Sequence, residues 1–201
     1  IGALNKNNLV VDFGCGTGKL ARVFSEVGAM VVGIDRAQSM AEFSARQGFD
    51  VLVSDFGRSV VPFRNSAFDV GIAGWCMSEI KSAHFDGEWR IHVGRALSEM
   101  ERIVRPSGKI IIFETLGCGT ETPERDGSHF YRFLEERGFS RSWFRTDYEF
   151  LTEREAFDMT RFFFGNRRAT SVGIKRTTSI RNSPNDAWVL CECTGIFWKT
   201  R

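Results

Sequence analysis

Val10-Val11-Asp12-Phe13-Gly14-Cys15-Gly16-Thr17-Gly18-Lys19 decides how the rest of the chain is read. The apolar run from Leu9 to Val11 reads as a buried strand. Glycines at alternate positions follow it, and then a helical pattern. Strand, glycine loop and helix N-terminus in that order make a nucleotide-type binding turn. Glycine is needed because the loop turns sharply and lets a ligand touch bare backbone. Asp12 closes the strand and places an acceptor in the same crevice.

The spacing separates the cofactors such a turn serves. A dinucleotide fingerprint reads G-x-G-x-x-G, or Ala at the last place; counted from Gly14, that place is Lys19. A P-loop fails too, because Phe13 stands where its first glycine belongs and Leu20 follows Lys19. What remains, D-x-G-x-G-x-G, resembles the first motif of the class I S-adenosylmethionine-dependent methyltransferases. That resemblance implies S-adenosylmethionine as cofactor. It has an amino-acid end, a sulfonium and an adenosine, and no phosphate. Asp12 suits its ammonium group and would repel a pyrophosphate.

A chain of 201 residues suits one domain, expected over 1–201, and can bury a core on both faces of a sheet. Hydrophobic residues make up 42% and charged residues 26%, an ordinary globular balance. A net charge of +2 is too weak to argue for nucleic acid or an anionic membrane. No apolar run approaches the roughly 20 residues that cross a bilayer. The cysteines, Cys15, Cys76, Cys118, Cys191 and Cys193, include no Cys-x-x-Cys pair. They read as buried thiols rather than metal ligands, in a reducing, cytoplasmic setting.

After the glycine loop, Leu20, Val23, Phe24 and Val27 predict one apolar helix face, stopped by Gly28. Met30 to Ile34 predicts a parallel strand covered on both sides, ending at Asp35. An acidic residue there accepts ribose hydroxyls, or caps the next helix. Arg36 is adjacent, and a helix from about Ser39 to Gln47 brings Met40 and Phe43 inward. Val51 to Val53 is a third strand. In the family that this resembles, an acidic residue next takes the adenine amino group and an apolar neighbour packs on the ring. Asp55 and Phe56 match that pattern, against an Asx-turn in a surface loop.

Pro62-Phe63 and Phe68-Asp69-Val70 continue the resemblance into a fourth strand. It delivers Ala73, Gly74 and Trp75 to the switch point where open α/β sheets bind ligands. The candidate cofactor residues are therefore Asp12, Gly14, Cys15, Gly16, Gly18, Asp35, Arg36, Met40, Asp55, Phe56, Ala73, Gly74 and Trp75. A helix from Trp89 to Val104, a break at Arg105 to Gly108 and a strand from Lys109 to Phe113 resemble the family's scaffold. Further on, Gly127 to Arg137 reads as helix and Ser142 to Tyr148 as strand. Thr152-Glu153-Arg154-Glu155 reads as a capping box. Residues 166–186, rich in Arg, Ser, Thr and Asn, read as a long mobile loop before a last strand from Ala187 to Trp198.

The resemblance implies a Rossmann-like, doubly wound α/β fold with helices on both faces. Its seven-stranded mixed sheet has the order 3-2-1-4-5-7-6, the last strand antiparallel. Methyl transfer is an in-line displacement, so the protein mainly positions donor and acceptor. No obligatory catalytic residue is expected; Glu114, His84, His129 and Tyr131 are the base candidates. A small-molecule acceptor is the default, with no nucleic acid, membrane or metal. A nicotinamide oxidoreductase on a similar sheet and a catalytically silent cofactor-binding module are the alternatives.

Overall fold

The computed structural model describes residues 7–83, 87–124, 128–165, 173–178 and 186–201. The chain runs β1 (Leu9–Phe13), α1 (Lys19–Glu26), β2 (Met30–Asp35), α2 (Gln38–Arg46), β3 (Asp50–Val53) and β4 (Phe68–Gly74). It continues through α3 (Met77–Ser82), α4 (Trp89–Ile103), β5 (Val104–Cys118), α5 (His129–Glu136), β6 (Ser140–Arg145) and β7 (Tyr148–Phe150). Last come α6 (Glu153–Phe164), β8 (Ile174–Thr178), β9 (Asp186–Leu190) and β10 (Glu192–Thr200).

The main sheet has seven strands in the order β3-β2-β1-β4-β5-β10-β6. With β10 standing for the expected seventh strand, between β5 and β6, this is the expected order. The pairs β1–β2, β1–β4, β2–β3 and β4–β5 are parallel. β10 runs against β5: Gly119 N–H donates to Cys191 at one end, while Ser107 N–H donates to Arg201 at the other. β1 and β4 are buried along nearly their whole length, so apolar residues stand on both faces. Val10, Phe24, Val70, Ile72 and Ile111 form one core cluster there.

Expected as one domain, the chain groups into two compact units. The first comprises Ile1–Glu114, Arg132–Arg141 and Ile196–Arg201. The second comprises Thr115–Tyr131 and Ser142–Gly195, and has its own three-stranded antiparallel sheet, β7-β9-β8.

The structure departs from the sequence reading in several places. α1 buries Ala21 and Phe24, while Val23 and Val27 are exposed. Small Ala21 hides the true stripe from a hydrophobicity count. Met40 and Phe43 also face solvent, because α2 packs through Ala41 and Ser44. Met30 is exposed at the start of β2. The stretch expected as one loop contains β8, whose register opposes Ile174 to Leu190; residues 166–172 and 179–185 lie outside the described residues. The expected last strand is two strands, β9 and β10, separated at Cys191. Thr152 does cap α6, accepting from Glu155 N–H at 3.1 Å.

Two polar anchors explain the sequence signals around β4. Asp69 accepts the Leu9 N–H at 2.7 Å and the Arg105 guanidinium at 2.5 Å, fastening the start of β4 to β1 and β5. Those partners, the Leu9 amide first, hold its carboxyl below the usual range. On α4, Arg102 donates to the carbonyls of Val61 (2.9 Å) and Phe63 (2.7 Å), to Asn65 (3.0 Å) and to Glu99 (2.8 Å). The connection from β3 to β4 contains no helix or strand, and this fork ties it to α4 together with the Val61 N–H bond to Glu99 and the Ser66 N–H bond to the Arg102 carbonyl.

Replacing Arg102 with Met removes the donor to the Val61 and Phe63 carbonyls and to Asn65, and leaves Glu99 with the Val61 N–H alone of the two partners described. Hydrogen bonds involving a charged group contribute about 1.5–3 kcal/mol. The variant is expected to lose about that much stability in urea unfolding at unchanged m-value. A loss below about 0.5 kcal/mol would mean that the connection does not depend on Arg102.

Candidate cofactor site

β1 ends beneath a loop in which Gly14, Gly16 and Gly18 all have left-handed backbone, with φ of 69°, 53° and 82°. L side chains rarely adopt this conformation, which accounts for the alternate glycines. Their surroundings differ. A Cβ at Gly14 would lie 2.6 Å from the Cβ of Cys76, whereas one at Gly16 would meet nothing within 4 Å. Gly16 therefore borders open space.

Asp12 lies under this loop, 1% exposed. Neither carboxylate oxygen has a hydrogen-bond partner among the described residues. Burial pushes its pKa up to about 8; the Ala21 amide opposes the shift and the nearby charge of Asp35 adds to it. A buried carboxylate with no donor at hydrogen-bond distance is costly unless it stays protonated or meets a cation.

Asp35, at the end of β2, accepts the Gly16 N–H at 2.8 Å through one oxygen and the Ala37 N–H at 2.8 Å through the other. It thus joins the glycine loop to the entry of α2. Each carboxylate oxygen retains a second lone pair. Asp55 accepts the Gly57 N–H at 3.1 Å, an Asx-turn, and lies 3.8 Å from Arg58. Phe56 is buried edge-on against Phe13, with ring centroids 5.0 Å apart.

Trp75 follows β4 with φ of 53°, a strained conformation for a bulky residue. Its N–H donates to the Phe113 carbonyl at 2.8 Å and its ring stacks on that of Phe113 at 6.3 Å. The ammonium of Lys19 sits 4.9 Å from the centre of the Trp75 ring. The buried Trp75 Nε1 has no acceptor among the described residues. An unused donor and an unused carboxylate at adjoining strand ends are what a site awaiting a ligand would show.

A cavity of about 200 Å³ opens here. Of the residues expected from the sequence, Gly14, Asp35, Arg36, Asp55, Phe56, Gly74 and Trp75 line it. Asp12, Cys15, Gly16, Gly18, Met40 and Ala73 do not. Asp12, Cys15 and Ala73 are buried, Gly18 packs against Ser44 and Phe49, and Met40 stands exposed on α2. Cys76, Glu79 and Ile80 line it without having been expected. They belong to the six-residue α3 and its N-cap, too short to carry a readable period.

Glu114, the base candidate described within the first unit, does not line this cavity. Glu114 is fully buried at β5, where burial raises its pKa to about 7. Both its oxygens are held by Ser78, at 3.0 Å from the N–H and 2.6 Å from the hydroxyl. It anchors the start of α3. In the second unit, Tyr131 is buried and its hydroxyl donates to the Thr115 carbonyl at 2.5 Å. His129 is exposed at the start of α5. His84 lies outside the described residues. The Cys15 thiol is pushed up to about 12, by burial first and then by Asp12 and Asp35, so it stays protonated. No metal-binding group of three or more His, Cys, Asp or Glu occurs among the described residues. No helix of the described residues is long and apolar enough to cross a membrane.

A methyltransferase-domain family model matches residues 11–112, half of the chain. The chain belongs to the methyltransferase-domain family. It is 34% identical over 113 residues to the tRNA (carboxymethyluridine(34)-5-O)-methyltransferase of Xenopus tropicalis, a match covering 56% of this chain and 16% of that protein. It is 30% identical over 122 residues to the malonyl-acyl-carrier-protein O-methyltransferase of Yersinia pestis, covering 60% and 41%. The chain thus spans less than half of either relative. The fold matches phosphoethanolamine N-methyltransferase 2 of Haemonchus contortus, solved with phosphomonomethylethanolamine and S-adenosylhomocysteine. The TM-score is 0.56 at 16% identity, over 100% of this chain and 50% of that one. The fold is thus the α/β fold that the resemblance implied.

Asp12 and Glu114 both have pKa values raised by burial, so the folded state prefers their protonated forms. Stability from this source is full below the unfolded carboxyl range near pH 4 and is lost as pH rises towards about 8. The melting temperature of the ligand-free protein is expected to fall between pH 5 and pH 8, and Asp12→Asn to flatten much of that slope. An unchanged slope in the variant would show that Asp12 ionises in the fold without penalty.

Proposed function

We propose that this methyltransferase domain moves a methyl group from S-adenosylmethionine to a small-molecule acceptor. The observation that carries the cofactor reading is the unpartnered carboxylate of Asp12 beneath three left-handed glycines. It asks for a compact cation, and the ammonium of a methionine end supplies one. A dinucleotide would bring pyrophosphate, which this carboxylate repels. Asp35 would hold the ribose hydroxyls, and Asp55 with Phe56 the adenine. Trp75, braced by Phe113 and Lys19, would wall the methionine end and turn its indole N–H toward it.

The bound cofactor supplies a methyl group on a sulfonium already activated by its positive charge. What remains for the chain is placement and exclusion of water. Trp75 and Phe113 form a stacked, half-buried aromatic wall at the strand ends. The strained Trp75 backbone fixes that wall before any ligand arrives. No base is assigned, because Glu114 is committed to Ser78 and a base is needed only for an acceptor that arrives protonated. The net charge of +2 favours a small acceptor over a nucleic-acid backbone.

Asp35→Ala is expected to weaken S-adenosylhomocysteine binding by roughly 1.5–3 kcal/mol, about ten- to a hundredfold. Calorimetry on the wild type and the variant measures it; equal affinities would move the ribose elsewhere. For the acceptor, methyl-labelled S-adenosylmethionine is incubated with a small-molecule extract and, separately, with tRNA. Label entering the small-molecule fraction supports the reading. Label found in tRNA alone overturns it and favours the chemistry named for the Xenopus relative.

A further inference from the structure

The larger cavity of the first unit is not the one described above. It is a groove of about 600 Å³ formed by the connection after β3, the outer side of α4 and the end of α5. Four arginines line it: Arg58, Arg90, Arg95 and Arg137. The single lining carboxylate, Glu99, is already taken up by Arg102 at 2.8 Å and by the Val61 N–H at 3.0 Å. Arg95 has no carboxylate partner among the described residues. Arg90 reaches Glu136 at 3.3 Å and Arg58 reaches Asp55 only at 3.8 Å, both in exposed pairs that contribute little. The groove is therefore left with uncompensated positive charge.

Two of these guanidinium groups are held in place. Arg90 and Arg137 both lie against the Phe133 ring, at 5.2 Å and 5.1 Å from its centre. A guanidinium drawn to a ring face keeps N–H donors available for an anion. Gly94 sits buried within α4 at this point, and a Cβ there would lie 3.0 Å from an Arg137 terminal nitrogen. A glycine inside a helix costs about 0.5–1 kcal/mol relative to alanine. What that glycine gains is room for the Arg137 fork against the helix backbone. Phe56, Val60, Ile91 and Phe133 give the groove an apolar wall, and Ser59 and Ser98 add two hydroxyls.

We propose that this groove is a binding site for a phosphate-bearing small ligand. The arginines would take the phosphate in bidentate, charge-assisted bonds, and the apolar wall would take the ligand's body. The cavity's size suits a single small molecule. Its cations converge on one concavity rather than following a strip, as a nucleic-acid backbone would require. Phe56 lines both this groove and the cofactor cavity, so the two adjoin. The proposal does not depend on the methyl-transfer reading.

The test is calorimetry with inorganic pyrophosphate on the whole chain, alongside Arg95→Gln and the double variant Arg95→Gln/Arg137→Gln. The expected result is saturable one-site binding by the wild type, weakened in Arg95→Gln and by tenfold or more in the double variant. S-adenosylhomocysteine affinity should stay within about twofold, as for surface substitutions. Arg95 is exposed and touches no core, so its variant remains informative if the double variant unfolds. No pyrophosphate binding by the wild type, or equal binding by both proteins, overturns the proposal. A single-stranded RNA oligomer that binds through Arg95 where pyrophosphate does not also overturns it, in favour of a nucleic-acid track.

Discussion

The carboxyl end of the parallel strands is organised around one buried carboxylate, Asp12, with no partner at hydrogen-bond distance among the described residues. Asp12 sits at the end of the central parallel strand, where both faces are covered and 1% of the residue is exposed. Ionising it there is costly, and the fold relieves that cost either by keeping the carboxyl protonated or by accepting a cation beside it. The glycine loop follows from the same constraint. It crosses above Asp12 in a left-handed path, and its Gly16 N–H is engaged by Asp35 rather than by Asp12. The loop therefore covers the carboxylate without neutralising it.

The parallel strands serve to deliver these groups to one edge. β1 contributes Asp12, β2 Asp35, and the segments after β3 and β4 contribute Phe56 and Trp75. Their register places Asp12 beside Gly33 and Ile72, and Phe13 beside Ile34 and Ala73. The donor left unused on Trp75 and the acceptors left unused on Asp12 thus lie at neighbouring strand ends. Where a carboxylate does have partners, as with Asp69 and Glu114, its role is to fasten elements together.

Much of this was legible from the sequence because buried parallel strands are short apolar runs and left-handed turns demand glycine. The sheet order came from the resemblance that the glycine spacing opened. Other features were hidden for physical reasons. α1 and α2 pack through Ala21, Ala41 and Ser44, which a hydrophobic stripe overlooks, and this misplaced Val23, Met40 and Phe43. α3 is too short for a period, so Glu79 and Ile80 were missed. β8 carries Lys175 and Arg176 at the edge of a three-stranded sheet, where polar residues are normal, so it read as loop. Asp12 was recognised as an acceptor, but its lack of any partner is visible only once the chain is folded.

Carboxyl-¹³C NMR of Asp12 tests the central claim most directly. In the free protein its carboxyl is expected to titrate near pH 8, as burial without a donor requires. With S-adenosylhomocysteine bound, the titration should move well below that, because the ammonium would favour the ionised form. A carboxyl that titrates in the ordinary range near pH 4 in the free protein, or one that the ligand does not move, would contradict the account.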